Sequence, residues 1–329
     1  MKLPSPRGPL SERVVTALRQ PPRSHVQLKR TPERDRDDDA LTLWILHELH
    51  YRGFEDVDER WEWAPALSSV RRHLEEELEA RLRVDFDDHL ASSGLDDAVR
   101  GSSGADGLVE VLLSLIEGHD GPSLADHLLS AGTADHACQL LRQRSVYHLK
   151  EADPTAWVVP RITGGAKAAL MEIQFDEYGA GRSDRVHQDL FSLGLSASGL
   201  SADYGHYVAE ARLPVLEQNN AVSLLGLHRR LRGAALGHLA AFEATSSLPS
   251  RTLARALRRL GLPEEIAAYY DEHVEADAVH EQLALQEVCA ALVADEPHLR
   301  ADVVFGAWAC LELEARTARD LLGLWDDAA

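Results

Sequence analysis

The stretch Asp271–Glu287, which reads DEHVEADAVHEQLALQE, combines a helical pattern with metal-binding side chains. Within it, His273, Asp277 and His280 lie at positions i, i+4 and i+7. Since an α-helix has 3.6 residues per turn, these three side chains fall on one side of a helix. Two imidazoles and a carboxylate on one rigid element form a ligand set that suits iron, zinc or manganese. We therefore expect the rest of the chain to bring further ligands to face this triplet.

The composition is typical of a globular protein with an acidic surface. The 329 residues are 45% apolar and 27% charged, and the formal net charge is −20. A surface this acidic repels phosphate backbones, so binding to nucleic acid is not expected. No apolar run reaches the roughly 20 residues that span a bilayer, and the N-terminus lacks the apolar centre of a secretory signal. The sequence therefore predicts a cytoplasmic protein without a membrane partner.

Apolar residues recur at helical spacing along most of the chain, and no segment alternates as a β-strand would. The sequence predicts an all-α protein in three parts: a flexible leader over 1–36, an N-terminal helical region over 37–120 and a helical bundle over 121–329. Ser92–Gly107 is rich in Gly, Ser and Asp and is expected to be a long loop. A run of small residues after Gly226 indicates close packing between helices of the bundle.

Two polar features of the N-terminal region are interpreted as structural. Ala64–Val84 is a charged amphipathic helix that would suit dimerisation, so a homodimer is a possible assembly. Its glutamates are interpreted as a solvated face: Glu75, Glu76, Glu77 and Glu79. His47 and His50 lie three residues apart on another helix, but no matching carboxylate pattern follows them. A second metal site there is therefore not favoured.

Two other helices carry candidate ligands. Glu177 lies in an otherwise apolar helix, and His187 follows ten residues later, roughly 15 Å along an unbroken helix. Both reach one metal pair only if the helix breaks, and Gly179–Gly181 is where a break is easiest. Glu151 closes the preceding helix just before Pro154. The helix dipole disfavours a carboxylate at that end unless a cation lies near it.

These residues together resemble a known family. Glu151 in KEADP, Glu177 and His187 ten residues apart, and the HxxxDxxH pattern of residues 273–280 are similar to the haem-oxygenase-like diiron oxidases and oxygenases. The resemblance covers roughly 123–325 and rests on six positions in the family's order and spacing, which is far more specific than any one pair. It implies a haem-oxygenase-like helical bundle, preceded here by an additional N-terminal helical region. The implied metal ligands are Glu151, Glu177, His187, His273, Asp277 and His280.

The resemblance also implies a chemistry. Members of the family hold two iron ions, use O2 as a co-substrate and take electrons from an external reductant. Their substrates are small molecules such as amines, amino acids and fatty acids, often in specialised metabolism. No catalytic residue beyond the metal ligands is predicted. Glu172 and Asp176 are interpreted as surface residues or as hydrogen-bonding partners of ligands rather than as ligands themselves.

Other functions remain open at this point. A metal-free hydrolase of the same fold, similar to the thiaminases, needs an activated cysteine, whereas Cys138, Cys289 and Cys310 lie in apolar helical patterns. A haem-dependent enzyme of this fold would use one axial histidine and leave the clustered carboxylates unexplained. A helical protein with no enzymatic activity that binds a partner would have no need of these ligands.

Overall fold

The computed structural model describes residues 1–22, 35–100 and 104–327, and all side chains in these ranges except those of 275–279. The described residues form helices joined by turns and contain no strand, which confirms the predicted all-α class. The helices of the N-terminal part are α1 (Pro9–Leu18), α2 (Arg36–Glu48), α3 (Pro65–Ser93), α4 (Asp96–Arg100) and α5 (Leu108–Glu117). The bundle contains α6 (Leu124–Ser130), α7 (Ala134–His148), α8 (Asp153–Ala156), α9 (Gly164–Glu177), α10 (His187–Ala197), α11 (Leu213–Leu227), α12 (Arg232–Arg259), α13 (Glu264–Gln282), α14 (Ala291–Asp295) and α15 (Arg300–Asp327).

Residues 1–22 are packed rather than loosely attached, which corrects the expectation of a flexible leader over 1–36. Helix α1 buries Leu10, Val14 and Leu18 among the core residues. Its first turn is held by Asp38 of α2, whose carboxylate accepts from the backbone N–H groups of Leu10 at 2.7 Å and of Ser11 at 2.9 Å. A carboxylate in this position satisfies N–H groups that have no partner within the helix. Residues 23–34 of the predicted leader lie outside the described part of the chain.

Helix α3 extends further than its sequence pattern predicts. It runs to Ser93 and ends at Gly94, whose φ of 75° is in the left-handed region typical of a residue that terminates a helix. The short helix α4 follows, so only part of the expected loop over 92–107 is irregular. Glu76 is exposed, as a solvated face requires, but Glu75 is buried, which corrects the interpretation of that residue.

The core does not divide near residue 120. One cluster of buried apolar side chains runs from α1, α2, α3 and α5 into α9, α11, α12 and α15. A second cluster joins α6, α7 and α10 to α13 and to the C-terminal turns of α15. The N-terminal helices therefore share their largest core with the bundle, since helix faces are stabilised mainly by packing against one another.

The backbones of helices α12 and α15 contact each other closely. A β-carbon added to Gly237 of α12 would collide with the carbonyl of Val303, and one added to Gly306 of α15 would collide with the carbonyl of Ala234. Each helix thus places a glycine against the main chain of the other. The expected role of small residues in close packing is confirmed here.

Helix α13 carries the opening sequence motif and changes its winding after it. From Leu283 to Ala290 the chain is π-helical, and it then returns to an α-helix in α14. Such π-helical turns often lie at functional sites. Helix α12 continues through Pro249 to Arg259. None of the described helices has the length and apolar character that crossing a membrane requires.

Candidate metal centre

Two groups of buried side chains with metal-binding atoms lie inside the bundle. The first ligand group is Glu151, His187 and His273, and the second ligand group is Glu177, Glu243 and His280. In each group one nitrogen or oxygen atom from every residue lies within 4.8 Å of the others. All six side chains are buried.

Glu151 reaches the first ligand group because α7 ends at His148 and the chain turns toward α8 before Pro154. Its Oε2 accepts a hydrogen bond from the Tyr269 hydroxyl at 3.0 Å, and its Oε1 lies 3.2 Å from Nδ1 of His148. Nε2 of His273 lies 3.6 Å from Oε2. The surrounding histidines thus offset the unfavourable position of this carboxylate beyond a helix C-terminus.

Glu177 and His187 are brought together by the break that the sequence predicts. Helix α9 ends at Glu177, and Gly179, Ala180 and Gly181 all adopt left-handed φ values of 79°, 52° and 80°. A β-carbon at Gly179 would lie 2.8 Å from the backbone nitrogen of Val186, so this turn requires glycine. The chain then re-enters helix at His187, and His187 Nδ1 lies 3.2 Å from Glu177 Oε2. This contact joins the two ligand groups.

His273 and His280 extend from α13 as predicted, each held by its other ring nitrogen. Nδ1 of His273 donates to the Tyr269 carbonyl at 2.9 Å, which directs Nε2 toward Glu151. Nε2 of His280 lies 3.2 Å from Asp176 Oδ2, and its Nδ1 lies 3.4 Å from Glu243 Oε2. Metal-binding histidines are commonly oriented in this way by a carbonyl or a carboxylate.

Asp277 is the sixth predicted ligand. It belongs to α13, but its side chain lies outside the described part of the structure. The other five predicted residues converge, three in the first ligand group and two in the second.

Glu243 was not predicted, although the sequence holds a signal for it. It is the only acidic residue in the segment 232–259 of α12, among small and apolar neighbours such as Ala240, Ala241 and Phe242. A lone carboxylate on the buried face of a helix is costly unless it is paired, and this marks it as a candidate ligand.

The electrostatics of the two groups are those of carboxylates paired with imidazoles. Within the described side chains, the ion-pair partners of Glu151, Glu177 and Glu243 are all histidines. Burial opposes charge on His280, but the close Glu243 carboxylate and the charges of other neighbouring carboxylates raise its pKa to about 9. Burial raises the pKa of Glu243. Despite burial, the neighbouring imidazoles of His148 and His273 hold the pKa of Glu151 well below its usual value.

Several atoms of these groups lie close together without forming hydrogen bonds. Four buried atoms make no hydrogen bond in the described structure although a partner atom lies 3.2–3.4 Å away: Glu151 Oε1, Glu177 Oε2, His187 Nδ1 and His280 Nδ1. Buried polar atoms are nearly always hydrogen-bonded, so lone pairs that converge without hydrogen bonds fit a cation between them. Three imidazoles and three carboxylates form a donor set that fits two iron ions.

The part of the sequence that carries the two ligand groups matches a known protein family. Residues 138–315, more than half of the chain, match the sequence profile of a family described as iron-containing redox enzymes. The chain belongs to this family. The matched range includes both ligand groups, and the resemblance found in the sequence is confirmed.

A solved structure shares the fold of this family member. A crystal structure of a CADD-like protein of unknown function from Nostoc punctiforme PCC 73102 aligns with a TM-score of 0.53 and 18% identity, over 66% of this chain and 96% of that chain. A second crystal structure of that protein gives a TM-score of 0.49 and 16% identity, over 66% of this chain and 94% of that chain. No curated protein sequence matches the chain.

In this family member the N-terminal helices support the ligand-bearing segments. Glu48 of α2 is fully buried and accepts from Lys150 Nζ at 3.0 Å, next to Glu151, and from the Tyr204 hydroxyl at 2.8 Å. Arg52 donates to the carbonyl of Leu149 at 3.1 Å and to Gln188 Oε1 at 2.8 Å. The residues that Glu48 and Arg52 contact are thus sequence neighbours of the ligands: Leu149 and Lys150 precede Glu151, and Gln188 follows His187.

A chain of hydrogen bonds leads from the first ligand group to Arg144. The Tyr269 hydroxyl donates a hydrogen bond to Glu151. Its oxygen therefore accepts a hydrogen bond from Nδ1 of His148 at 2.5 Å. The opposite nitrogen, Nε2, lies 3.4 Å from Nη1 of Arg144 and accepts from it. Burial lowers the pKa of His148, which agrees with this neutral tautomer.

A cavity of about 310 Å³ adjoins the first ligand group. Glu151, His148 and His273 form part of its wall, and α12 and α15 form another part through residues such as Phe242 and Leu311. Cys310 also lines it, but burial raises the pKa of this thiol. A thiol of this kind stays protonated near neutral pH, which argues against a nucleophilic cysteine here.

The N-terminal part holds a separate concentration of histidines and carboxylates. This N-terminal polar cluster consists of His47, His50, Glu62, Arg71, Glu75 and His228. Glu75 Oε1 lies 3.0 Å from His47 Nε2, and Glu75 Oε2 lies 2.9 Å from His228 Nε2. Arg71 pairs with both Glu75 and His50. The carboxylates that His47 and His50 lacked in the sequence pattern are therefore present in the fold, together with a cation.

Proposed function

We propose that this protein is a non-haem diiron oxidase or oxygenase that uses O2 and an external reductant to oxidise a small molecule. The observation that carries the proposal is the pair of ligand groups, each with three buried donor atoms, joined through the contact of Glu177 with His187. Membership of the iron-containing redox enzyme family supports iron as the metal.

The residues that would hold the two ions are those of the two ligand groups, with Asp277 as a further candidate. Iron bound there would supply the electrons that reduce O2, and the ligand charges would stabilise its oxidised form. The chain itself supplies an environment with little access for water, because all six side chains are buried.

The chain also controls protons near the site. Burial and the neighbouring Glu151 charge raise the pKa of Tyr269 well above its usual value, so its hydroxyl stays protonated and holds Glu151 by a hydrogen bond. His148 is neutral: its Nδ1–H donates to the Tyr269 hydroxyl, and its Nε2 accepts from Arg144. The Glu151 carboxylate therefore keeps one orientation in the reaction cycle.

The test is iron loading without O2, followed by exposure to O2. We expect two iron ions per chain by elemental analysis, a Mössbauer spectrum of coupled iron ions, and O2 consumption that depends on bound iron. His187→Ala and Glu243→Ala should each lower the iron content, because they remove one donor from the first and the second group.

The matched control is His228→Ala, which removes a histidine from the N-terminal polar cluster and should leave the iron content at two per chain. A wild-type protein that binds iron no better than the His187→Ala variant, or that loses iron equally on His228→Ala, would contradict the proposal.

A further inference from the structure

The cavity beside the first ligand group contains an ion pair that belongs to neither ligand group. Arg144 Nη2 lies 2.5 Å from Glu314 Oε1, and Gln218 Nε2 donates to Glu314 Oε2 at 3.0 Å. All three residues line the cavity. The side chains of Arg144 and Glu314 are 21% and 38% accessible, against 6% for Glu151. The pair is therefore presented at the cavity surface.

We propose that this cavity binds a small zwitterion, a molecule with one carboxylate and one ammonium group, with Arg144 facing the carboxylate and Glu314 facing the ammonium group. The proposal deepens the proposed function, because it names the substrate class of the same site. It assigns Arg144 and Glu314 as residues that determine specificity.

Both members of the pair have capacity for a ligand. Arg144 has five N–H donors: Nη2 uses one of its two on Glu314 and Nη1 uses one of its two on His148, which leaves a second N–H on each, whereas Nε is buried. A carboxylate has about four acceptor positions, and Arg144 and Gln218 occupy two of those on Glu314. A ligand can therefore bind each charge without displacing the existing contacts.

Charge balance selects a zwitterion over a singly charged molecule. Arg144 and Glu314 cancel each other, so a ligand with a carboxylate alone brings an unmatched negative charge beside Glu314. A ligand with an amine alone brings an unmatched positive charge beside Arg144. In a partly enclosed cavity an unmatched charge is less favourable than in water, whereas a zwitterion meets both wall charges with opposite ones.

The size and the remaining wall define the class further. At about 30 Å³ per water molecule, 310 Å³ corresponds to about ten waters, which is the volume of a compact molecule. Apolar residues such as Ile116, Leu124, Leu253 and Leu311 complete the wall. An α-amino acid with an apolar side chain combines these properties.

The test is isothermal titration calorimetry on the full-length protein freed of metal. The probes are L-norleucine and L-phenylalanine, each compared with its amine (pentylamine, phenethylamine) and its acid (hexanoic acid, 3-phenylpropionic acid). We expect each amino acid to bind about tenfold to a hundredfold more tightly than its amine or its acid, since one hydrogen-bonded charge is lost in each comparison.

Two variants test the assigned roles, because each should change which of the amino acid, the amine and the acid binds most tightly. Glu314→Gln leaves Arg144 unbalanced and should make the acid bind at least as tightly as the amino acid. Arg144→Gln leaves Glu314 unbalanced and should favour the amine. Glu312→Gln is the matched control, because Glu312 lies on the same helix, pairs with Arg316 at 2.8 Å and does not line the cavity. It should keep the wild-type preference.

An ion pair that serves only to stabilise the fold predicts a different result. The amino acid, amine and acid would then bind equally or not at all, and the two variants would share one order of preference, either of which overturns the proposal. Thermal unfolding identifies a variant that does not fold, and the wild-type comparison alone then decides. Because no metal is needed, amino-acid binding with no iron uptake would reject the diiron function while supporting the zwitterion site.

Discussion

The two ligand groups and the N-terminal polar cluster are built from the same residue types but are balanced differently. In the N-terminal polar cluster, both oxygens of Glu75 lie within 3.0 Å of a histidine nitrogen, and Arg71 adds a permanent positive charge. In the ligand groups, the carboxylates have only histidines as ion-pair partners among the described side chains, at 3.2–3.6 Å.

This difference shows which features of a buried polar cluster indicate a metal site. A cluster that contains its own cation and short hydrogen bonds is balanced within the protein. A cluster whose atoms converge without hydrogen bonds is balanced by a cation from outside. The count of histidines and carboxylates does not distinguish these cases, but the presence of arginine and the hydrogen-bond geometry do.

Iron should stabilise the folded protein through the ligand groups alone, and this is the largest expected effect. At free Fe(II) 1,000 times above Kd, each ion bound by the native state adds about 4 kcal/mol to the free energy of unfolding. The measurement is anaerobic thermal unfolding with and without Fe(II). His280→Ala should reduce the stabilisation, whereas His47→Ala should retain it. Equal losses in both variants would remove the distinction between the clusters.

Neutralising one carboxylate in each cluster should give different results in the metal-free protein. Glu75→Gln removes the anion that His47, His228 and Arg71 share, so it should cost about 3 kcal/mol. Glu243→Gln removes the carboxylate that does most to raise the His280 pKa, but burial disfavours the charge of this carboxylate, so the substitution should cost less, at most about 2 kcal/mol. Urea unfolding measures both. A cost for Glu243→Gln that equals the cost for Glu75→Gln would contradict the comparison.

The histidines of the two clusters should respond to pH in opposite directions in the metal-free protein. Burial lowers the pKa of His47, so its contribution to stability is lost as pH falls below about 6.5, where the unfolded state binds a proton. The pKa of His280 is raised to about 9, so its contribution is full below about pH 6.5 and is lost as pH rises through 9.

Stability curves from pH 5 to pH 9.5 measure these contributions. Discounted for partial solvent screening, the His280 contribution should be on the order of 2 kcal/mol. His280→Gln should flatten the alkaline side of the curve and His47→Gln the acidic side. An alkaline slope that His280→Gln leaves unchanged would show that another group causes it.

An exposed ion pair sets the scale for the other measurements and has the smallest expected effect. Arg72 and Glu76 pair at 2.7 Å on the outer face of α3, and both side chains are more than half exposed. Arg72→Gln should cost no more than about 0.5 kcal/mol in urea unfolding, because solvent screens such pairs. A larger cost would mean that charge changes on α3 act through more than the buried pairing of Glu75.

Much of the bundle was predictable because its signals are local. The helix break at 179–181 could be inferred from two glycines, and the common direction of His273 and His280 follows from helix geometry alone. Glu151 could be inferred from an unfavourable carboxylate near a helix C-terminus.

The parts that were not predictable depend on contacts between distant segments. Glu75 can be buried because it pairs with His228, which lies 153 residues away in sequence. Helix α1 is held in place by Asp38, which lies on the other side of residues 23–34 in the sequence. Glu243 carried a local signal, since it is the lone acidic residue of α12, but its role depends on meeting Glu177 and His280 from other helices. Periodicity within one helix contains no information about such partners.

The paired glycines Gly237 and Gly306 fix the spacing of α12 and α15 through contact of main chains, with no side chain between them that could be exchanged for a larger or smaller one. These same two helices carry Phe242 and Glu314, which both line the cavity. The distance between these two parts of the wall is thus set by the backbone, so a substitution of either glycine by alanine would force the helices apart and alter the cavity, whereas a substitution of a wall side chain would alter it locally.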